Sequence, residues 1–338
     1  MSSEPNGNGR RPGMTDVARL AGVSHQTVSR VLNDHASVRP ATRERVLAAI
    51  EELGYRRNMS ARALVTRRSG MLGIVASGSS RSGPAGTLGA LEQAARAAGY
   101  FVTVAIAPEP EPDLHGEIAD AFVEQGVEGV VVIAPTPGVA EVAHALSAQV
   151  PVLVVSAWDP PDGVPTISVD QRAGARLAAE HLLALGHTDL VQVSGPTDWF
   201  DAAARVDGWH TALADAGVAP REDLVGDWSS ERGYALGRSL LDNLPTAVFA
   251  ANDLTALGVL RAFAEAGVRV PEDVSVIGFD DLEGSANFYP PLTTIKQDLR
   301  ALGAAALGAL VEVIAGGTAL PRRLPPALVE RSSTAAPR

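Results

Sequence analysis

The chain has 338 residues, no cysteine, 46% hydrophobic and 20% charged residues, and a formal net charge of −11. This composition excludes a disordered chain and predicts a globular protein of two or three domains. The absence of cysteine excludes disulfides, thiolate metal sites and cysteine nucleophiles.

The charge is unevenly distributed along the chain. Residues 1–69 contain twelve arginines and six acidic residues, a formal charge of +6, which leaves −17 for the remainder. A basic segment joined to an acidic body is typical of a segment that neutralises phosphates, while the acidic body would be repelled by nucleic acid.

The first thirteen residues are polar and glycine-rich, without the apolar centre of a secretory signal peptide. We expect residues 1–13 to form a disordered tail. No apolar run in the sequence approaches the ~20 residues that a membrane-spanning helix needs. We therefore expect a cytoplasmic protein.

Two short amphipathic patterns follow, separated by a break at Gly22 and Val23. Their apolar positions fall on one face of each helix: Val17, Ala18, Leu20 and Ala21 in the first, and Val28, Val31 and Leu32 in the second. Thr15 and Ser24 each precede a pattern, where a hydroxyl can cap free backbone N–H groups. Gly22 supplies the backbone freedom of a sharp turn, so the layout is that of a helix-turn-helix.

The outer face of the second helix carries His25, Gln26, Ser29 and Arg30. Glutamine and arginine side chains can make paired hydrogen bonds to the edges of adenine and guanine. This stretch alone fits two interpretations, a DNA-reading helix pair and an ordinary corner between two helices with a polar outer face.

A third helix is predicted from Pro40 to Gly54, because Val46, Ile50 and Leu53 recur at helical spacing. Residues 14–57 would form a three-helix headpiece. The basic segment 58–69 follows, in which Asn58 could cap one short helix. Isolated helices shorter than ~12 residues are marginal in water, so this segment is either a solvated tether or a hinge that folds against DNA and a partner copy.

From residue 70 onwards, apolar runs alternate with alanine-rich helical patterns, giving nine predicted strands between residues 72 and 279 and eight helices between residues 88 and 315. This alternation predicts an α/β core, residues 70–331, of two doubly wound lobes with parallel sheets. Ligands of such folds bind beyond the carboxyl ends of the strands, often in a cleft between lobes. Residues 332–338 are expected to be a disordered tail.

Seven motifs occur in order along the chain: DVARLAGVSHQTVSRVLN (16–33), TRERVLAAIEELGY (42–55), EHLLALGH (180–187), RVDGWH (205–210), DWS (227–229), ANDLTALG (251–258) and YPPLTTIKQD (289–298). On these motifs the chain resembles the LacI/GalR family of transcriptional regulators. The resemblance implies a helix-turn-helix headpiece, a hinge helix, and a core of the periplasmic-binding-protein type I whose chain crosses three times between lobes. It also implies a homodimer that reads a roughly palindromic double-stranded operator.

The resemblance assigns DNA contacts residue by residue. The positions that match base-reading residues are His25, Gln26 and Arg30. The positions that match phosphate contacts are Thr15, Ser24, Thr27, Ser29 and Asn33. In the hinge, Asn58, Ala61 and Leu64 match residues at the minor groove, where a paired leucine would wedge into a base step.

The resemblance also implies a sugar effector between the lobes. The matching positions are Ser77, Ser156, Arg205, Trp228, Asn252, Asp280 and Gln297, with the region of Pro84 and Thr87 nearby. Such polar side chains suit sugar hydroxyls, and an indole suits the apolar face of a pyranose. Singly, each has a plainer interpretation: Trp228 as a core residue, Asp280 as part of a strand-end turn, and Arg205 as a surface ion pair.

The chain departs from the family pattern in three places. Ser156 stands where a pocket aspartate is expected, with Trp158 close by, so the sugar is either a different one or held differently. Arg57 stands where a proline is common before the hinge. The chain also lacks a heptad tail after residue 329, which predicts a dimer.

Enzyme and cofactor functions are not expected. No Gly-x-Gly-x-x-Gly follows a strand, no Walker pattern exists, and the single lysine, Lys296, has no support for a Schiff-base role. His181 and His187 are six residues apart, which is unsuited to a shared metal, so we expect no metal and no cofactor.

The expected function is a repressor controlled by a small, galactoside-like or related sugar. A solute-binding protein of a sugar transporter is the alternative, which the missing signal peptide and the basic headpiece disfavour. Whether the ligand releases DNA as an inducer or promotes DNA binding as a corepressor stays open.

Overall fold

A computed structural model describes residues 12–32, 35–55, 68–77, 82–107, 113–158 and 163–338. The chain divides into two compact units, Met1–Ser69 and Gly70–Arg338. The three headpiece helices are α1 (Met14–Ala21), α2 (His25–Leu32) and α3 (Pro40–Leu53).

The headpiece core is small and aliphatic. Val17 on α1, Val28 on α2 and Val46 on α3 are fully buried against one another's helices. Gly22 ends α1 in the left-handed region with φ of +64°, as the sharp turn requires. Ser24 precedes α2, and its Oγ accepts a hydrogen bond from the Thr27 N–H at 3.2 Å. The predicted three-helix headpiece and the predicted Ser24 cap are therefore confirmed.

Two details of the headpiece prediction are wrong. Thr15 does not cap α1, because the helix begins one residue earlier, after Gly13, and the Asp16 carboxylate accepts the Gly13 N–H at 2.9 Å. Leu20 does not share the buried face, since its side chain is 45% exposed.

The second unit begins with a lobe built on a six-stranded sheet. Its strands are β1 (Met71–Ser77), β2 (Phe101–Ala107), β3 (Val130–Ile133), β4 (Val152–Val155), β5 (Thr166–Val169) and β11 (Arg322–Leu324). They lie in the order β11-β5-β4-β3-β1-β2, and all their pairings are parallel. Its helices are α4 (Ser82–Ala97), α5 (Asp113–Glu124), α6 (Pro137–Ser147) and α11 (Leu299–Ile314). We call this the first lobe.

The second lobe has a sheet in the order β12-β10-β9-β8-β6-β7, in which β12 is antiparallel to β10 and the other pairings are parallel. Its strands are β6 (Leu190–Ser194), β7 (Leu224–Val225), β8 (Ala247–Ala250), β9 (Ser275–Asp280), β10 (Thr293–Lys296) and β12 (Ala327–Val329). Its helices are α7 (Gln171–Ala184), α8 (Phe200–Asp215), α9 (Ser230–Ser239) and α10 (Asp253–Glu265), with short 3₁₀ turns at Leu241–Asn243 and Ser285–Asn287.

Buried apolar side chains cover both faces of each sheet, which is why inner strands such as β3 and β4 read as unbroken aliphatic runs. The chain passes between lobes after β5, after β10 and after β11, so the expected three crossings are confirmed. The predicted strands are present, but the described residues form twelve rather than nine, because β10, β11 and β12 were not predicted. These three have only three or four residues each.

The expectation of a disordered tail at residues 332–338 is wrong. Ser333 is fully buried, its Oγ donates to the Val276 carbonyl at 2.6 Å, and it accepts the Thr293 N–H at 2.8 Å. The tail thereby joins β9 to β10 in the second lobe. Within the described part of the chain, no helix combines the length and the apolar character that crossing a membrane would need.

Candidate functional site

The first candidate site is the outer face of α2. His25, Gln26 and Arg30 are all exposed, while Val28 and Val31 on the opposite face are buried. The three side chains proposed to read bases thus lie on solvent-facing positions of the second helix of a helix-turn-helix.

The predicted phosphate contacts surround this face. Thr15 and Ser24 are exposed, and Thr27 and Ser29 are partly buried. The Ser24 and Thr27 hydroxyls lie 2.9 Å apart at the beginning of α2. The predictions for Asn33, Asn58, Ala61 and Leu64 fall outside the described residues.

The second candidate site lies where the two lobes of the core meet. Two cavities adjoin there and share three wall residues. The larger, about 430 Å³ with the space open to solvent included, is called the glutamine cavity and is lined by Gly83, Pro84, Thr87, Ile133, Pro135, Val155, Ser156, Ala157, Ser168, Val169, Gln171, Asp201, Gln297, Leu299 and Leu302. The smaller, about 320 Å³, is called the tryptophan cavity and is lined by Gly83, Pro84, Trp199, Asp201, Arg205, Trp228, Asn252 and Asp280.

A closed ring of four side chains lies beside both cavities. Arg205 Nε donates to Gln171 Oε1 at 2.9 Å, and Gln171 Nε2 donates to Gln297 Oε1 at 2.8 Å. Gln297 Nε2 then donates to Asp280 Oδ1 at 2.7 Å, which Arg205 also reaches at 3.5 Å. Because every member fixes the next, the ring presents preorganised donors and acceptors at the cavity walls.

Arg205 is buried on α8 and is 3% exposed, so the plainer interpretation of a surface ion pair is excluded. Its guanidinium lies over the Phe279 ring at 3.7 Å from the ring centroid and 5.4 Å from that of Trp228. A further nitrogen donates to the Ala251 carbonyl. Each of its three nitrogens therefore already donates a hydrogen bond within the protein.

Trp228 forms a wall of the tryptophan cavity from the turn before α9. Its backbone has a φ of +69°, outside the usual range for a non-glycine residue. Asn252 holds this turn, since its Nδ2 donates to the Trp228 carbonyl at 3.1 Å while its Oδ1 caps α10 by accepting the Thr255 N–H. Trp199 packs edge-on against Trp228, with ring centroids 5.6 Å apart. Two indoles thus line one cavity.

Asp280, at the end of β9, has an unusual environment for a carboxylate. Burial raises the pKa of Asp280 to about 7, and the nearby acids Asp253 and Asp201 act in the same direction. The Arg205 charge and the hydrogen bond from Gln297 oppose this increase. Asp280 therefore titrates in the neutral range and faces the tryptophan cavity.

The structure brings together most of the effector residues expected from the sequence. Pro84, Thr87, Ser156 and Gln297 line the glutamine cavity, and Arg205, Trp228, Asn252 and Asp280 line the tryptophan cavity. Ser77 is buried at the end of β1, but it is not among the described wall residues of either cavity.

Four residues at the site were missed from the sequence: Gln171, Trp199, Asp201 and Phe279. Asp201 carried a usable signal, since it lies one helical turn before Arg205, but the helix predicted from the sequence began only at Arg205, whereas α8 begins at Phe200. The other three carried none, because their roles come from contacts between distant segments of the second lobe.

The arrangement suits a neutral, hydroxyl-rich ligand. No group of three or more potential metal ligands occurs among the residues that the structure describes. His181 and His187 instead hold the chain end, through contacts with Thr334 Oγ1 and the Ala335 carbonyl. Indole faces beside a preorganised set of amide and carboxylate groups match the apolar faces and hydroxyl edges of a sugar ring.

Comparisons with known proteins match both parts of the chain in which these candidate sites lie. Residues 13–58 match the family model described as "Bacterial regulatory proteins, lacI family", and residues 179–334 match that of a periplasmic binding protein-like domain. The lactose operon repressor of Escherichia coli is 36% identical over 326 residues, 95% of this chain and 90% of that protein.

Two solved structures are similar over almost the whole chain. The lac repressor dimer bound to operator and the anti-inducer ONPF has a TM-score of 0.84 and 35% identity, covering 97% of this chain and 100% of that one. The transcriptional regulator CelR in complex with cellobiose has a TM-score of 0.71 and 31% identity, covering 96% of this chain and 100% of that one. With its headpiece, its two-lobe core and relatives of this identity, the chain belongs to the lacI family of bacterial regulatory proteins.

Proposed function

We propose that this protein is a transcriptional repressor that binds operator DNA as a homodimer and releases it when a small sugar occupies the cleft between its lobes. The observation that carries the proposal is the closed ring of Arg205, Gln171, Gln297 and Asp280 beside the Trp228 indole. This combination has the polar and apolar groups that a pyranose needs. CelR in complex with cellobiose and the lac repressor dimer on its operator support the same function.

On the DNA side, Arg30 and Gln26 would contact base edges in the major groove, and the hydroxyls of Ser24 and Thr27 would contact phosphates. The exposed positions of Arg30, Gln26 and Ser24 support these roles. A symmetric dimer presents two such helices to the two halves of a roughly palindromic site.

Control by the ligand follows from the wall residues, which come from both lobes. A sugar that contacts α8 and the first lobe together favours one arrangement of the lobes over another. The lobes already touch at this point, because the Phe200 N–H donates to the Pro135 carbonyl at 2.9 Å and the Trp158 and Phe200 rings stack with centroids 5.5 Å apart. A ligand that changes this junction changes the population of the DNA-binding form.

The test uses the full chain. A double-stranded site is selected from a random library by binding, and its affinity is then measured by fluorescence anisotropy with galactose, glucose, ribose, lactose and cellobiose added in turn. We expect at least one sugar to lower the affinity for the selected site by about 5- to 150-fold, the usual range of allosteric coupling. Increased affinity would instead make the sugar a corepressor.

The variant that tests the sugar site is Trp228→Ala, which removes one wall of the tryptophan cavity and leaves the headpiece intact. We expect it to bind the selected DNA as the wild type does and to lose the response to sugar. Unchanged DNA affinity of the wild type with all five sugars would contradict the sensor part of the proposal.

A further inference from the structure

Asp201 lies on the wall that the two cavities of the cleft share. The glutamine and tryptophan cavities share Gly83, Pro84 and Asp201, and Asp201 is the charged member of the three. It lies in the first turn of α8, one turn before Arg205. A ligand that spans the two cavities must therefore pass this carboxylate.

The carboxylate is held in position from the opposite lobe. The Ala157 N–H hydrogen-bonds to Asp201, just after the end of β4. The preceding residue, Phe200, donates its N–H to the Pro135 carbonyl and stacks on Trp158 at an interplanar angle of 11°. These contacts fix the first turn of α8 against the first lobe, so that Asp201 reaches the wall beside Ser156.

Ser156 is a weaker acceptor at this wall. Its Oγ already accepts the Trp158 N–H at 3.1 Å, and it has no charge. A carboxylate can accept several hydrogen bonds, and with one taken by Ala157 it retains acceptor capacity for ligand hydroxyls. Asp201 therefore supplies, from the second lobe, the carboxylate that position 156 lacks.

The charges of the cleft decide which ligands fit. Among the wall residues that the structure describes, Arg205 is the only cation, and its three nitrogens donate to Gln171, Ala251 and Asp280. Burial raises the pKa of Asp201, and the Arg205 charge and the Ala157 N–H oppose that rise. A phosphate or carboxylate on the ligand would therefore find no free cation to pair with at these walls, because every Arg205 nitrogen is already engaged, and any negative charge on Asp201 or Asp280 would repel it.

We propose that Asp201 is a specificity-determining residue of the cleft, which accepts hydrogen bonds from the hydroxyls of a neutral saccharide and excludes anionic sugars. This inference rests on the proposed function, because it requires that the cleft binds a sugar. It adds the chemical class of the ligand and the residue that selects it.

The experiment measures binding to the full-length protein by calorimetry. The neutral probes are galactose, glucose, lactose and cellobiose, and the anionic probes are glucose 6-phosphate, galactose 6-phosphate, glucuronate and galacturonate. We expect the wild type to bind at least one neutral sugar and to bind the matching anionic sugars at least about tenfold more weakly, since a buried uncompensated charge is costly.

Asp201→Asn is the informative variant, because its amide oxygen can still accept the Ala157 N–H while the charge is removed. We expect it to bind the neutral sugar about 10- to 100-fold more weakly, because a strong hydrogen-bond acceptor for the ligand is lost. We also expect it to discriminate less between the neutral sugar and the anionic sugar. The matched control is Asp215→Asn, at the exposed end of the same helix, which should leave both affinities unchanged.

The outcomes separate the two proposals. If the wild type binds none of these eight sugars and none of the five sugars tested above changes its affinity for DNA, the proposed function fails together with this inference. If the wild type binds a neutral sugar and Asp201→Asn binds it equally well, with the same discrimination, this inference alone is overturned. Thermal melting checks that the variant is folded. If Asp201→Asn does not fold, Asp201→Ser, which keeps a small acceptor, takes its place in the same comparison.

Discussion

The Trp228 indole packs directly against Gly195 at the cleft. A Cβ atom added at Gly195 would overlap the six-membered ring of the Trp228 indole. The indole can therefore lie flat against the chain just after β6 only because residue 195 has no side chain. The wall of the tryptophan cavity therefore depends on a glycine that is not itself one of its wall residues.

We predict that Gly195→Ala weakens sugar binding by at least about tenfold, because the added methyl displaces the Trp228 ring. Overpacking of this kind typically costs ~1–3 kcal/mol of stability as well. Calorimetric titration with the sugar identified above measures the first effect, and urea unfolding measures the second. Gly308→Ala is the control, since a Cβ at that exposed position on α11 meets open space. Wild-type sugar affinity in Gly195→Ala would contradict the prediction.

Much of the fold could be predicted from the sequence because burial on both faces of a parallel sheet leaves an unbroken aliphatic run. β3, with the sequence Val-Val-Val-Ile, is buried at every position. β11 and β12 have no such run, because they lie at sheet edges with exposed residues such as Arg322. Their pairing is a tertiary property, and the same is true of the tail that Ser333 holds in place.

The site was predicted less completely. Arg205, Asn252 and Gln297 stand in motifs that resemble the family, so the sequence pointed to them. Gln171 was missed because its role arises from a hydrogen bond to Gln297, 126 residues away in the chain. Such a contact depends on how α7 packs beside the end of β10 within the second lobe, which local patterns do not encode.

The raised pKa of Asp280 predicts a pH-dependent effect of Asp280→Asn. In the folded protein, the Asp280 carboxyl keeps its proton up to a pH of about 7. In the unfolded chain, the same carboxyl releases its proton near pH 4. The contribution of Asp280 to the free energy of unfolding therefore falls as pH rises from about 4 to about 7. The free energy of unfolding of Asp280→Asn relative to wild type should therefore rise between pH 4 and pH 8, by on the order of 2–4 kcal/mol.

Urea unfolding between pH 4 and pH 8 measures this difference. Asparagine suits the position because it tolerates the positive φ of 111° better than most residues. Asp215→Asn, at an exposed site, should show no such trend. A stability difference between Asp280→Asn and wild type that is the same at every pH would show that burial does not control this carboxyl.

On the headpiece, we predict that Arg30→Ala weakens binding to the selected DNA site by ~1–3 kcal/mol and relaxes the preference at one base pair. The reason is that an arginine in this position can make a bidentate contact to guanine. Anisotropy titrations against the selected duplex and its single-base variants measure both effects. Arg96→Ala, exposed on α4 of the core beside Glu92, serves as the control. An equal loss on every duplex would reassign Arg30 to a phosphate contact.

The chain end offers a matched pair of serines. We predict that Ser333→Ala lowers the free energy of unfolding by ~1–3 kcal/mol, because it leaves the buried Thr293 N–H without its acceptor and the Val276 carbonyl without its hydroxyl donor. Ser332→Ala, at the exposed neighbouring position, should change the stability by less than ~0.5 kcal/mol. Urea unfolding of the two variants under identical conditions makes the comparison. Equal stability would mean that the tail adds nothing to the second lobe, despite its hydrogen bonds to β9 and β10.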